Sequence, residues 1–170
     1  MDTIEKPTLI RTVTLEVFEM FGPLFTDRFI TQVKDRVAAV ITVLNPHHTR
    51  ENSHAPMLLE DLILGDPNVS NWKYPYNEFA KAKAKAAWRS ARSNHLMYAD
   101  APHLARTGDF KFAGGVYDDG IVVATSGLKC WEDDLFVSQV IASAIKTRMI
   151  KASNAVLAGP KDTKELLFLK

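Results

Sequence analysis

A single cysteine, Cys130, is all the thiol chemistry in this chain. It excludes an internal disulfide and a four-cysteine zinc site. No apolar run reaches the roughly 18 residues that a membrane helix needs before a charge interrupts it, so no membrane partner is expected. The start, Met1-Asp2-Thr3-Ile4-Glu5-Lys6-Pro7, lacks the basic-then-apolar order of a secretory signal, and the expected compartment is the cytoplasm. There is no repeat, no low-complexity tract and no Gly/Ser linker, and the eight prolines are scattered. No Gly-rich phosphate loop of Walker or Rossmann type occurs, and no Ser-His-Asp context surrounds Thr125 and Ser126. An excess of positive charge is missing too. Against 21 Lys and Arg stand 20 Asp and Glu, a formal charge of +1, so no nucleic-acid partner is expected.

What is present fits one soluble globular domain spanning residues 1–170, with 46% hydrophobic and 24% charged residues. The near-zero net charge hides alternating blocks. Residues 1–72 carry −4, residues 73–106 carry +5, residues 107–137 carry −4 and residues 138–170 carry +4. Such blocks suit self-association or an anionic ligand at one face, and equally a set of solvated helix faces.

Apolar residues at mixed three- and four-residue steps predict helix over 10–34, broken into two by Gly22-Pro23, with Thr26-Asp27 capping the second piece. This forms an N-terminal helical extension of about residues 1–35. Residues 36–44 fit either the end of that helix or a buried strand, and their Val, Ile and Thr content before Asn45-Pro46 favours strand. Residues 45–56 are a polar loop, and 57–64 read as a second strand. Over 77–93, Ala80, Ala84, Ala87, Trp88 and Ala91 define the buried face of a helix, while Lys81, Lys85, Arg89 and Arg92 repeat on another. Asp118-Asp119-Gly120 between two apolar runs predicts a hairpin within 110–126, with Gly114-Gly115 marking a bend or a close backbone approach. A last helix over 132–152 should bury Phe136, Val140, Ala144, Ile145 and Met149, with Glu132, Asp133 and Asp134 in its first turn. A tail over 154–170 ends in Leu166-Leu167-Phe168-Leu169, which would pack on this subunit or a neighbour. Together these elements predict an α+β domain with a mainly antiparallel sheet and helices packed on it.

Two segments, Asn77 to Trp88 and Gly114 to Gly127 with the acidic helix start after it, resemble in order and spacing the GlcG/HbpS-like haem-binding family. That family includes the C-terminal domain of PduO-type corrinoid adenosyltransferases. Its pattern is a lysine–alanine helix, Gly-Gly, a strand, a Val-Asp-Gly turn, a strand ending Ser-Gly and an Asp/Glu-rich helix start. The resemblance covers roughly residues 36–152. It implies a profilin-like fold, assembly into dimers or larger rings, and binding of haem or a related tetrapyrrole. The sequence departs from the pattern in its long His-containing loop at 45–56, and in Leu128-Lys129-Cys130-Trp131, where the family often has a further Gly and a Thr.

The candidate ligand-binding residues follow. His47, His48 and His54 carry imidazoles able to ligate haem iron or a metal, or simply face solvent. Lys81, Lys85 and Arg89 can hold carboxylates such as haem propionates, or form a solvated face. Trp72 and Tyr76, with Tyr74 between them, can stack on a flat ligand or anchor an interface. Thr125 and Ser126 end the strand beside Gly127. The expected site is a cleft between the basic helix, the Trp72–Tyr76 segment and the hairpin. A small-molecule ligand and a homo-oligomer are therefore expected. An enzyme acting on a small organic acid in a catabolic pathway, with a histidine as general acid or base, and a ligand-free structural or regulatory oligomer are the alternatives.

Overall fold

The computed structural model describes residues 9–157. Its elements in chain order are α1 (Leu9–Phe25), a π-helical turn (Thr26–Thr31), β1 (Ala38–Leu44), β2 (Leu58–Gly65), α2 (Tyr76–Ser90), α3 (Asn94–Asp100), β3 (Gly115–Asp118), β4 (Ile121–Ser126) and α4 (Trp131–Leu157). The four strands form one antiparallel sheet in the order β2-β1-β4-β3. This is an α+β fold with a profilin-like arrangement, and the ambiguous segment at 36–44 is a strand.

Strand β1 is buried at every position, and the layers on either side of the sheet explain it. Side chains alternate across a strand. Ala39, Ile41 and Val43 face the core shared with α1 and α4, alongside Ile10, Val17, Val123, Val137, Ile141 and Ile145. Val40 packs instead with Tyr76 and Ala80 of α2, and Leu44 with Ala84, Ala87 and Trp88. The alanines of α2 let its backbone lie close to the sheet, as the sequence pattern required.

Four local expectations need correcting. Helix α1 does not break at Gly22-Pro23 but runs through Pro23 to Phe25. The missing proline N–H is absorbed near the helix end, where the chain widens into the π-helical turn. Thr26-Asp27 caps nothing, and the Asp27 carboxylate accepts from the Gln32 side chain at 2.8 Å. On α4 the buried row is Val137, Ser138, Ile141, Ala142 and Ile145, while Phe136 is 51% exposed and turns toward Phe25 and Phe29 of the N-terminal segment. Helix α2 ends at Ser90 because Ala91 takes a left-handed conformation, and α3 follows after Ser93. The tail Leu166-Leu167-Phe168-Leu169 lies outside the described residues. No described helix is long and apolar enough to cross a membrane.

The hairpin follows its turn chemistry. Asp118 pairs with Ile121, leaving the two-residue turn Asp119-Gly120 with φ of +48° and +89°. These are the positive values that a tight hairpin turn demands. Gly114-Gly115 marks a close approach, since a Cβ on Gly115 would stand 2.5 Å from Asn94 Oδ1 and 2.8 Å from the Lys83 carbonyl oxygen. Asn94 clasps the two elements together. Its amide donates to the Lys83 carbonyl at 3.1 Å and its oxygen accepts from the Gly115 N–H at 2.8 Å. At the other end of β4, Gly127 has φ +116°, and a Cβ there would stand 2.7 Å from the Ala38 carbonyl oxygen. Gly127→Ala is therefore expected to cost at least about 1–3 kcal/mol in backbone strain alone. A urea denaturation midpoint unchanged from wild type would contradict this.

Candidate functional site

The segment Ser126-Gly127-Leu128-Lys129-Cys130-Trp131 joins β4 to α4, and the N-terminal end of α2 lies across from it. Between them is a cavity of about 600 Å³, lined also by Arg36, Tyr74, Tyr76, Phe79, Lys83, Phe110, Phe112 and Asp134. That volume is in the range of small-molecule sites. Its wall is largely aromatic. The Phe79 and Phe110 rings stack at 4.3 Å, Phe112 meets Phe110 edge-on at 5.6 Å, and Tyr74 meets Tyr76 edge-on at 6.3 Å. The lysine–alanine helix and the end of the Asp-Gly hairpin thus wall a common hollow.

Two charged features lie in this apolar setting. The first is a buried ion pair. Lys83, 1% exposed, donates from Nζ to Asp134 Oδ2 at 2.8 Å and to the Thr125 carbonyl at 2.9 Å. The second Asp134 oxygen accepts from the Leu128 N–H at 3.2 Å. Burial pushes the Lys83 ammonium below its ordinary range despite the attraction of Asp134. Burial likewise pushes the Asp134 carboxyl up despite the attraction and hydrogen bond of Lys83. Both members are thereby drawn toward a shared proton.

The second feature is Arg36. Its Nη1 donates to the Gly127 and Leu128 carbonyls at 3.3 and 3.2 Å, while its buried Nε has no hydrogen-bond partner among the described residues. A guanidinium is always charged and is built for bidentate pairing with a carboxylate. No acidic side chain of the described residues forms an ion pair with it. Among the described residues the cavity is therefore bordered by a cation with no acidic partner, and by exposed Lys129 as a second.

The residues singled out in the sequence divide between four places. Tyr76 and Ser126 line the cavity. Trp72 and Thr125 stand behind it. Trp72 packs on Tyr76 at 5.8 Å and donates from its indole to the Asp66 carbonyl at 2.8 Å. Thr125 accepts from Lys83 through its carbonyl, and its hydroxyl shares a 2.8 Å hydrogen bond with Ser138. Lys81 and Arg89 are engaged elsewhere on α2. Lys81 pairs with Asp61 of β2 at 3.1 Å, and Lys85 is exposed outside the cavity lining.

His47, His48 and His54 are in the β1–β2 loop, away from the cavity lining. The His48 carbonyl accepts from the Trp88 indole at 2.7 Å, and His48 borders a hollow of about 70 Å³ with Gly120. Gly120 and Ser126 bracket β4, whose six residues span about 17–20 Å. His48 thus lies at the hairpin turn, at the other end of β4 from the cavity. Among the described residues no three His, Cys, Asp or Glu side chains come together as a metal site would require. Cys130 borders the cavity, and burial raises its thiol above the ordinary value, away from the reactive thiolate.

Arg89 acts on the cavity from outside. Its Nη2 and Nη1 donate to the two Asp109 oxygens at 2.6 and 3.1 Å. The Tyr98 hydroxyl donates to the Phe110 carbonyl at 2.5 Å. These bonds pin the segment that presents Phe110 and Phe112. Burial works against the Asp109 carboxylate, but Arg89 and the Arg106 N–H outweigh it and hold its pKa below the ordinary 3.8. A depressed carboxylate stabilises the folded form above the unfolded value, and that contribution is lost as pH falls through the folded one. Asp109→Asn at neutral pH, or acidification of the wild type well below 3.8, should therefore lower the protection against hydrogen exchange over 110–114, measured relative to the intrinsic rate at each pH. Equal protection under all conditions would show that the clamp does not hold this segment.

No family model matches the chain, and no curated protein matches it. Among solved structures it is similar to the Klebsiella pneumoniae protein ORFY, described as a DUF336 family protein. The TM-score is 0.54 at 15% identity, covering 86% of this chain and 97% of that one. It is also similar to the Ybr137w protein, with a TM-score of 0.54 at 13% identity, covering 79% of this chain and 77% of that one. At these identities the similarity is one of fold.

Proposed function

We propose that this chain is a small-ligand-binding protein of the GlcG/HbpS-like family, and that its cavity takes a flat molecule bearing a carboxylate. The observation that carries this reading is Arg36, whose buried Nε has no partner among the described residues and stands at the edge of an aromatic-walled cavity. Buried polar groups in folded proteins are nearly always hydrogen-bonded, so an unpaired one beside a cavity points to a group supplied from outside. The aromatic wall favours a planar body and the guanidinium an anionic edge. The sequence resemblance and the fold shared with a DUF336 protein support the family.

Haem or a related tetrapyrrole is the narrower form of the proposal, since it is planar and carries carboxylates. The donor set tests its fit. The histidines stand away from the cavity, so the side chains there that could hold the iron would be those of Tyr74, Tyr76 or Cys130. Haemin titration is the experiment, with 1-naphthoate as a metal-free comparison. A saturable change near the Soret band that persists in His47→Ala, His48→Ala and His54→Ala supports tetrapyrrole binding in the cavity. Saturable naphthoate binding without a haemin response keeps the carboxylate reading and removes the tetrapyrrole. No binding of either overturns the proposal and favours a ligand-free oligomer. Self-association is part of the same proposal, through the outer face of α1 and α4 where Met20, Leu24 and Phe136 are exposed. Phe136→Glu should reduce the sedimentation coefficient, and an unchanged coefficient would count against that face.

A further inference from the structure

We propose that Lys83 is a covalent residue, its amine forming a reversible imine with an aldehyde or ketone whose carboxylate lies at Arg36. This inference rests on the reading that the cavity takes carboxylates, and it adds a carbonyl as the second recognised group. Among the described residues Lys83 is the one fully buried lysine, and it borders the cavity rather than lying behind it. Two of its three ammonium hydrogens are held by the Thr125 carbonyl and Asp134. The Phe110 ring lies 5.4 Å from Nζ. A desolvated lysine in an apolar pocket gives up its proton more readily than a surface lysine, which is how enzymes prepare amine nucleophiles. Glycine at 114 keeps the amine's place open, because a Cβ there would stand 3.0 Å from Nζ.

The step balances with the groups in place. Lys83 passes one proton to Asp134, leaving an amine and a carboxylic acid. The amine attacks the carbonyl carbon, and the new C–N bond gives a carbinolamine after its proton moves to oxygen. Asp134 protonates the departing hydroxyl, the C–O bond breaks and water leaves. Ammonium plus carbonyl has become iminium plus water, with no change of oxidation state. The iminium keeps its positive charge beside the Asp134 carboxylate, so the buried pair remains neutral overall.

The test uses the full-length wild-type chain with 4-carboxybenzaldehyde and cyanoborohydride, followed by peptide mass mapping. One equivalent of label on Lys83, abolished by excess benzoate and formed faster in Phe110→Ala, is the expected result. Label confined to exposed lysines such as Lys85 and Lys129, with Lys83 unmodified in both wild type and Phe110→Ala, overturns the imine. Benzoate binding measured separately by calorimetry reports on the carboxylate site. Benzoate that binds while Lys83 stays unlabelled defeats this inference alone, whereas absent benzoate binding defeats the carboxylate reading.

Discussion

Asp134→Ala is expected to lower stability by about 3–5 kcal/mol, the cost of leaving a buried charge without its partner. The carboxylate is held by Lys83 at 2.8 Å and by the Leu128 N–H at 3.2 Å, so its loss strands the ammonium and frees the cavity floor together. Lys83 has little access to water, because its side chain is buried between α2, β4 and α4. The double variant Lys83→Met/Asp134→Leu should recover most of the loss, since replacing a buried pair with apolar groups of similar size is often neutral or stabilising. Urea denaturation of the three proteins checks both statements. A single variant within about 1 kcal/mol of wild type, no more than an exposed ion pair contributes, would show that the pair is not buried in solution.

The second large effect is on binding. Arg36→Leu should weaken 1-naphthoate by about ten- to a hundredfold, since hydrogen bonds to charged groups contribute about 1.5–3 kcal/mol. Arg36 also holds the Gly127 and Leu128 carbonyls, so its replacement can disturb the cavity floor as well as the anion site. A change in the ligand separates the two. The wild-type protein should bind 1-naphthamide more weakly than 1-naphthoate by a similar factor, because the amide lacks the negative charge. Equal affinity for acid and amide would show that Arg36 does not select a carboxylate.

How far the sequence revealed this site depended on how local each signal is. The Asp119-Gly120 turn was legible because two adjacent residues determine it. Strand β1 was ambiguous because cores on both faces of the sheet erase the polar half of the period-2 pattern. Lys83 is hidden in the sequence because Lys81, Lys83 and Lys85 look alike in a lysine–alanine run. The helical period distinguishes them, however. Position 83 is three residues after Ala80 and four before Ala87, on the buried face, whereas 81 and 85 turn outward. Arg36 gave no local signal at all, since it meets its cavity only through contacts about ninety residues away, at Gly127 and Leu128. The histidines mislead for the converse reason. They are neighbours along the chain, but the β1–β2 loop that carries them sits at the turn end of the hairpin.

The most direct test is backbone amide chemical-shift mapping of the full chain titrated with 1-naphthoate. Saturable shifts centred on Arg36, Tyr74 to Phe79 and Ser126 to Trp131 are the predicted result. Shifts centred on His47 to His54, or no saturable shifts at all, would contradict a carboxylate site in the Arg36 cavity.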